Sequence, residues 1–523
     1  MSEQAPPTLP ADLQGLNVRD FLEDAVRRVP DRPFVITRES SLTYAELDER
    51  VDRTASAWQG LGVTKGTRVA FMVENAPEFL IAWLALAKIG AILVAVNTRF
   101  KPAEVRSMLE IGRAQLMLAG EQHLEIARTA AEGIRVLSVS ELLTLAADAS
   151  PAFERPPLAA SDVVSFIFTS GTTGRSKAVM QTHGNFVLTG QAYPFWLELE
   201  KGTRFYCCLP LFHVNAQAYS TMGTIGNEGT MILVERFSAS RFWDDVRLYR
   251  ANVVNYIGAM IAILSKLDPS PAERDHELRI AYGAPKFPEE QLRAIEARFG
   301  FKLISGFGMS ETTFGVVESL HDRPAGSIGR PRLHPDPRLT NEVRVVDDAG
   351  NNVGPGEVGE LIIRNAMTMQ GYFDDPERTA EALRDGWLYT GDHCSRDAAG
   401  VFYFVDRKKD IVRRRGENVS SLEVELTLMD HPAVEEAAVV AVPAELTDED
   451  VLAFVVMRPG HSAEPEELVG WCSERLADYK VPRYIQILEA LPKTATQKVE
   501  KVRLRNEYPD PALWYDQEAG RAR

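Results

Sequence analysis

Cysteine is scarce in this sequence. The chain of 523 residues has four cysteines, namely Cys207, Cys208, Cys394 and Cys472. Two adjacent and two isolated cysteines give neither a disulfide framework nor the spacing of a metal-ligand cluster. Free cysteines are typical of the reducing cytosol, so we expect a cytoplasmic protein.

Positive charge is also in deficit. The chain has 58 Lys and Arg against 74 Asp and Glu, which gives a formal net charge of -16. This balance argues against non-specific binding to nucleic acid or to an anionic membrane, although a local basic patch could hold an anionic ligand. The first residues are acidic and proline-containing without an apolar core, so we expect no secretory signal there.

Long uninterrupted apolar runs are lacking as well. The strongest run, residues 79–96, has Lys88 at its centre and Gly90 between a helix-like half and a β-branched half. A cation at the centre of a membrane span is costly. The run therefore predicts a buried helix followed by a buried strand.

Short apolar runs alternate with amphipathic segments over most of the chain. Strands that are apolar on both faces, with helices between them, predict helix-covered sheets of the α/β class. We expect a large N-terminal domain of helix-covered mixed β-sheets with a small β unit (1–405), a hinge (406–410) and a small mobile α+β C-terminal domain (411–523). The hinge is placed at the charged, apolar-poor stretch "DRKKD".

One loop combines glycines, hydroxyls and cations. The segment "TSGTTGRSK", residues 169–177, follows the apolar run "VVSFIF" and is called the phosphate loop below. Glycine-rich backbone N–H groups, hydroxyls and a lysine suit an anion such as phosphate. Its spacing does not fit a Walker A motif, and a flexible surface loop is the alternative interpretation.

Two acidic residues stand in similar surroundings. Glu311, in "GFGMSET", could hold Mg²⁺ that bridges phosphate oxygens, or could be a helix N-terminal acid. Asp392, in "YTGD", could accept hydrogen bonds from both hydroxyls of a ribose, or could belong to an ordinary turn.

Taken together and in order, these segments resemble the adenylate-forming superfamily, acyl-CoA synthetase branch, and are similar to crotonobetaine/carnitine-CoA ligase-like enzymes. The resemblance runs from residue 42 to residue 501. It implies an AMP-forming acid–thiol ligase that uses ATP and Mg²⁺ and passes the acyl group to CoA. It assigns catalytic roles to Lys498, Glu311, Thr312 and His213, and metal binding to Glu311 and Thr169. It assigns nucleotide binding to Thr169, Ser170, Gly171, Thr172, Thr173, Gly174, Lys177, Gly283, Ala284, Pro285, Gly306, Phe307, Gly308, Asp392 and Arg407.

The resemblance also implies acid and CoA contacts and a hinge at Lys409. The acid and CoA contacts are His213, Asn215, Gln217, Tyr282, Phe314, Arg415, Gly416 and Glu417. Several of these are polar, so we expect a small or medium polar acid, or a substituted aromatic one. We expect no nucleic-acid partner and no membrane span, and a homodimer stays possible.

Three positions depart from the family pattern. Ser176 and Ala178 replace a proline and a glycine of the phosphate loop, and Gln497 replaces the glycine before Lys498. These changes could alter phosphate affinity and the insertion of Lys498. They leave three alternatives open: a ligase that loads a carrier-protein thiol, a diazotase that uses nitrite and an aryl amine, and a nucleotide-binding regulator that has lost catalysis.

Overall fold

The computed structural model describes most of the chain. The described residues are 7–169, 176–284, 287–407, 410–414, 417–444, 449–493, 498–507, 513–517 and 521–522.

Helices and strands alternate along the chain. The α-helices are α1 (Val18–Arg28), α2 (Tyr44–Gly60), α3 (Pro77–Lys88), α4 (Pro102–Ile111), α5 (Leu124–Ala130), α6 (Val139–Asp148), α7 (His183–Trp196), α8 (Met222–Asn227), α9 (Phe242–Leu248), α10 (Gly258–Lys266), α11 (Glu289–Phe299), α12 (Pro376–Ala382), α13 (Ser421–Met429), α14 (Pro465–Ser473) and α15 (Lys501–Glu507). The strands are β1 (Pro33–Ile36), β2 (Ser41–Thr43), β3 (Arg68–Met72), β4 (Ile92–Ala95), β5 (Leu116–Ala119), β6 (Arg135–Ser138), β7 (Val163–Thr169), β8 (Lys177–Thr182), β9 (Arg204–Cys207), β10 (Thr230–Leu233), β11 (Val253–Ile257), β12 (Ile280–Ala284), β13 (Lys302–Met309), β14 (Thr312–Val317), β15 (Arg330–Pro331), β16 (Asn341–Val346), β17 (Val358–Asn365), β18 (Leu383–Arg384), β19 (Trp387–Arg396), β20 (Phe402–Arg407), β21 (Val412–Arg414), β22 (Glu417–Val419), β23 (Val434–Pro443), β24 (Glu449–Met457), β25 (Tyr484–Leu488), β26 (Tyr515–Asp516) and β27 (Arg521–Ala522).

Two large sheets carry the N-terminal part. A six-stranded sheet has the order β6-β5-β3-β4-β7-β8, and a nine-stranded sheet has the order β15-β14-β13-β12-β11-β9-β10-β1-β2. Their central strands pair in parallel, whereas β8, β14, β15 and β2 pair antiparallel at the edges. Parallel strands need both faces covered, which explains the continuous apolar runs. The predicted class of helix-covered mixed sheets is confirmed.

The apolar run at residues 79–96 forms a helix and a strand, as predicted. It provides most of α3 and all of β4, which are separated by Gly90 at a φ of 72°. The Lys88 ammonium at the end of α3 is buried and lies 2.6 Å from Asp48 and 2.5 Å from Asp52. These ion pairs compensate the buried charge. Within the described part of the chain, no helix is long and apolar enough to cross a membrane.

Three smaller sheets follow. The first has the order β16-β17-β19-β18 with β20 on β19, the second is the β21-β22 pair, and the third has the order β23-β24-β25-β26-β27. Alternate residues of β23 and β24 enter two different cores, because successive side chains of a strand point to opposite faces. The tail contains α13, β23, β24, α14 and β25 in this order, which agrees with the predicted α+β class of this part of the chain.

The chain divides into two compact units. The first unit comprises residues 1–343 and 362–389, and the second comprises 344–361 and 390–523. The boundary of the predicted domains at 406–410, with its hinge at Lys409, stays a prediction, and Lys409 lies outside the described residues.

Candidate active site

The phosphate loop closes a hairpin of the six-stranded sheet. Strands β7 and β8 pair antiparallel, and Thr169 and Lys177 are the last partners before the loop. The hairpin holds the two ends of the loop next to each other. Between them, the predicted contacts Ser170, Gly171, Thr172, Thr173 and Gly174 lie outside the described residues.

Ala178 lies in regular strand next to this loop. It pairs with Phe168, is buried, and its carbonyl accepts a hydrogen bond from Phe373 N at 2.8 Å. Its methyl group belongs to an apolar cluster of the six-stranded sheet. A strand position needs none of the backbone freedom of glycine, so alanine fits here without strain.

The segment 368–373 runs along β8. Val179 and Tyr372 form an antiparallel bridge, and Met180 N donates to Gly371 O at 3.0 Å. Met369 N donates to Glu311 O at 2.8 Å, so the same segment also holds the backbone at Glu311. The segment therefore ties the phosphate-loop hairpin to the acidic motif.

Tyr372 connects the two charged groups of this region. Its hydroxyl donates to Oε1 of Glu311 at 2.8 Å, and the Lys177 ammonium lies 4.4 Å from its ring centroid. An ammonium over a phenol ring is a cation–π contact. Sequence reasoning missed Tyr372, because it lies 61 residues from Glu311 in a segment with no charge pattern.

Glu311 is 6% exposed, and this burial raises its pKa. The Tyr372 hydrogen bond and the charge of Lys177 act in the opposite direction and favour the carboxylate. Glu311 lies in the turn between β13 and β14, so the alternative of a helix N-terminal acid is wrong. The neighbouring Thr312 is buried, and its Oγ1 accepts a hydrogen bond from Phe314 N at 3.2 Å.

The segments predicted to contact the nucleotide lie on adjacent strands. Gly283 and Ala284 end β12, and Gly306, Phe307 and Gly308 lie in β13. The two strands pair in parallel, with Gly283 opposite Ser305. Both segments therefore occupy one edge of the nine-stranded sheet, while Pro285 lies outside the described residues.

A buried polar network lies at the residues predicted for the acid. Asn255 accepts from the Tyr193 hydroxyl and donates to Asn215 Oδ1 at 2.8 Å and to Ser220 Oγ at 3.2 Å. Asn215 and Ser220 belong to a π-helix, Asn215–Thr221. Such wide turns are frequent at functional sites.

Three other residues that were predicted to bind the acid pack against core residues. Gln217 is buried, accepts from Ser165 Oγ at 3.0 Å and donates to Leu211 O at 2.8 Å. Phe314 is buried and edge-on to Trp196, with a centroid distance of 4.8 Å. His213 is half-buried, with its ring centroid 4.6 Å from that of Phe212.

Tyr282 forms a hydrogen bond with a buried arginine, Arg332, which sequence reasoning also missed. The Tyr282 hydroxyl accepts from the Arg332 guanidinium, which also donates to the Tyr219 hydroxyl at 2.7 Å. Arg332 is 1% exposed. In the sequence it stands in "GRPRLHPDPR", where Pro and charged residues resemble a surface turn.

In the second unit, the two residues predicted for the ribose are neighbours. Asp392 of β19 and Arg407 of β20 are partners in an antiparallel pair. Lys498 is exposed in the same unit, and Arg415 and Gly416 lie outside the described residues, as does the side chain of Glu417 in β22.

Two polar side chains of the predicted C-terminal domain have structural partners. Ser421 donates to Asp406 Oδ2 at 2.7 Å and accepts from Lys501 Nζ at 2.6 Å. Arg414 is buried, lies 2.9 Å from Asp450 and donates to the Val481 carbonyl at 2.6 Å. The Arg414 guanidinium therefore forms its ion pair and hydrogen bond inside the second unit.

Comparison with known proteins decides the family. The sequence model of the AMP-binding enzyme family matches residues 22–373, and that of the AMP-binding enzyme C-terminal domain matches 423–498. The chain belongs to the AMP-binding enzyme family. The predicted resemblance to adenylate-forming enzymes of the acyl-CoA synthetase branch is confirmed, and with it the class of AMP-forming ligase.

Individual relatives agree with this assignment. This AMP-binding enzyme is 33% identical to a crotonobetaine/carnitine–CoA ligase of Citrobacter koseri, over 94% of this chain and 99% of the relative. Among solved structures, ATP-bound MatB from Rhodopseudomonas palustris is similar with a TM-score of 0.85 and 26% identity, over 95% of this chain and 99% of that one. An anthranilate CoA ligase in complex with anthranoyl-AMP has a TM-score of 0.86 and 25% identity, over 96% and 98%.

Proposed function

We propose that this AMP-binding enzyme joins a small or medium polar carboxylic acid, or a substituted aromatic one, to the thiol of CoA at the expense of ATP. In the first step a carboxylate oxygen bonds to the α-phosphorus, the bond to the β-phosphate oxygen breaks, and pyrophosphate leaves. In the second step the CoA sulfur bonds to the acyl carbon, its proton is released and AMP leaves.

The observation that carries the proposal is the Lys177–Tyr372–Glu311 array beside the phosphate loop. It combines a cation with a buried carboxylate at the loop end of the β7–β8 hairpin. The first step brings two anions together, so fixed positive charge lowers its barrier. Lys177 supplies such a charge in the first unit, and Lys498 is proposed to supply a second in the adenylation state.

Glu311 is the residue that would hold Mg²⁺, with Thr169 as a second oxygen ligand. Mg²⁺ prefers oxygen ligands and is commonly held by one or two carboxylates together with substrate phosphates. A buried carboxylate with a raised pKa fits this role, because a cation would restore its charged form. When bound, Mg²⁺ neutralises charge on the phosphate oxygens.

The polar network supports the proposed class of acid. Asn215, Asn255 and Tyr193 put amide and hydroxyl groups where a long apolar chain would need an apolar lining. The relatives are named for the acids crotonobetaine and carnitine, and the structural neighbours for anthranilate and benzoate. No observation favours transfer to a carrier-protein thiol or diazotisation of an aryl amine. A cytoplasmic location and a homodimer remain predictions.

The test is pyrophosphate release over a panel of acids, with and without CoA. We expect acid-dependent pyrophosphate exchange without CoA, and acyl-CoA and AMP when CoA is added. Lys498→Ala should reduce exchange by about a hundredfold or more, since it removes a charge that acts on the transition state. Lys480→Ala is the matched control, because Lys480 pairs with Glu423 at 2.8 Å. Fastest release with long-chain fatty acids would contradict the proposed acid class.

A further inference from the structure

Arg332 is a buried cation in the first unit. It follows β15, its backbone N–H donates to Gly315 O at 3.0 Å, and its side chain is 1% exposed. Burial of a charge is costly unless an opposite charge compensates it.

The partners of this cation are neutral. The guanidinium donates to the hydroxyls of Tyr219 and Tyr282 and to the carbonyls of Thr313 and Val316. Among the residues that the structure describes, no carboxylate forms an ion pair with Arg332. The four hydrogen bonds use four of the five N–H groups of a guanidinium, and the remaining one is on Nη2.

Aromatic rings surround the same guanidinium. Its Cζ lies 4.8 Å from the ring centroid of Trp196, 5.4 Å from that of Tyr219 and 5.6 Å from that of Tyr282. Cages of Trp and Tyr are the usual sites for quaternary ammonium groups. Here the cage is occupied by a cation of the chain itself, whose charge would repel a second cation.

Arg332 also borders the strand predicted to contact substrate. A Cβ atom built on Gly306 would lie 2.7 Å from the Tyr282 hydroxyl and 2.8 Å from Arg332 Nη2, and one on Gly308 would lie 3.2 Å from Nη1. The absence of side chains at these glycines lets the guanidinium lie directly against β13. Tyr282, which bonds to it, is itself a predicted acid contact.

We infer that the acid substrate carries a second carboxylate, and that Arg332 is the residue that recognises it. The inference rests on the proposed function, because it names the substrate class of the same site. The distal carboxylate supplies the missing counter-charge and accepts from the remaining Nη2 hydrogen. Acids with a quaternary ammonium group, such as carnitine, are correspondingly excluded.

The experiment compares matched acids in acid-dependent pyrophosphate exchange. The pairs are butyrate with succinate, hexanoate with adipate and benzoate with terephthalate, and carnitine is added as the cationic acid. For at least one pair we expect kcat/KM to be about tenfold or more higher for the diacid, and we expect no exchange with carnitine.

The variant arm uses Arg332→Met and Arg332→Lys. Arg332→Met should lower the ratio of kcat/KM for the preferred diacid to kcat/KM for the matched monoacid by about tenfold or more, whereas Arg332→Lys should retain part of the preference. Arg330→Met is the control, because Arg330 is on the surface and pairs with Asp322 at 3.1 Å. Arg330→Met should keep the wild-type preference.

The outcomes separate the inference from the proposed function. Exchange with monoacids that equals or exceeds that with every diacid overturns the inference and leaves the proposed function intact. An unchanged preference in a folded Arg332→Met enzyme also overturns it. Absence of exchange with every acid overturns the proposed function instead. If Arg332→Met fails to fold, the wild-type preference and the Arg332→Lys variant decide.

Discussion

The Tyr372 hydroxyl lies 2.8 Å from Glu311 Oε1, while the Lys177 ammonium sits 4.4 Å from the centroid of the same ring. One phenol thereby contacts both the carboxylate proposed for Mg²⁺ and the cation of the phosphate loop. Its hydrogen bond lowers the pKa of Glu311 against the raising effect of burial. Tyr372 is therefore a positioning residue whose hydrogen bond favours the charged form of Glu311.

Replacement of Tyr372 by phenylalanine tests this role. The variant loses one hydrogen bond to a buried carboxylate, so the pKa of Glu311 should rise further and the ionised form should be lost at a higher pH. We expect the acid limb of the pH profile of pyrophosphate exchange to move upward, and exchange at neutral pH to fall by about tenfold. The Mg²⁺ concentration for half-maximal exchange should increase.

A matched control is Tyr403→Phe, since Tyr403 also bonds to a carboxylate, Asp397, at 3.2 Å. This pair lies in the second unit, and its loss should leave the pH profile unchanged. An acid limb that does not move in Tyr372→Phe would remove Tyr372 from the mechanism.

Ala178 gives a prediction about the unusual phosphate loop. Glycine at this strand position would increase the freedom of the unfolded chain and remove a buried methyl group. We expect Ala178→Gly to lower the free energy of unfolding by about 1 kcal/mol and to leave the Kd for ATP unchanged. Chemical denaturation and nucleotide titration measure the two quantities. A tighter Kd without loss of stability would show that alanine restricts the loop.

Ser421 gives a prediction for the second unit. Its hydroxyl joins Asp406 to Lys501, and it is the first residue of α13, where proline is sterically tolerated. Both Ser421→Pro and Ser421→Ala should therefore lower the free energy of unfolding by about 1–3 kcal/mol through the lost hydroxyl. Ser473→Ala, which removes only a bond to a helix carbonyl, is the control. Equal stability of Ser421→Ala and wild type would show that the network contributes nothing.

His183 gives a prediction for pH dependence. It is fully buried, its Nδ1 accepts from Val18 N at 3.2 Å, and burial lowers its pKa to about 4. The native state keeps the ring neutral while the unfolded chain takes up a proton below pH 6.5. Stability should therefore fall as the pH drops from 6.5 towards 4, by on the order of 3 kcal/mol from this residue.

The comparison of wild type with His183→Asn isolates this contribution. Asparagine retains an acceptor but does not titrate, so the free energy of unfolding should depend less on pH in the variant between pH 6.5 and 4. His461→Asn, at an exposed position, should retain the wild-type dependence. Parallel pH profiles for wild type and His183→Asn would contradict the assignment.

Most of the secondary structure could be predicted from the sequence, because the spacing of apolar residues follows the period of the helix or strand that buries them. The run at 79–96 separated into α3 and β4 at Gly90, as the glycine between its two halves predicts. The direction of strand pairing was harder to predict from the sequence, since antiparallel β8 shows the same apolar pattern as a parallel strand. The position of Glu311 in a hairpin escaped prediction, because a polar stretch after a strand can begin a helix or a turn.

The chemical residues divide in the same way. Residues in contiguous motifs, such as Asp392 and Arg407, can be proposed from the sequence because each motif has its own pattern. Their role at the ribose stays a prediction, and the structure makes them strand partners. Tyr372 and Arg332 could not be proposed in this way, because their importance arises from contacts across 61 and 50 residues, with Glu311 and Tyr282. A single tyrosine or arginine carries no local signal for such contacts.

Acid-dependent exchange of labelled pyrophosphate into ATP, followed by addition of CoA, tests the central claim most directly. The account predicts exchange that requires both a carboxylic acid and Mg²⁺, is strongly reduced in Lys498→Ala, and gives way to stoichiometric AMP and acyl-CoA when CoA is added. Absence of exchange with every acid, or exchange unchanged in Lys498→Ala, would contradict it.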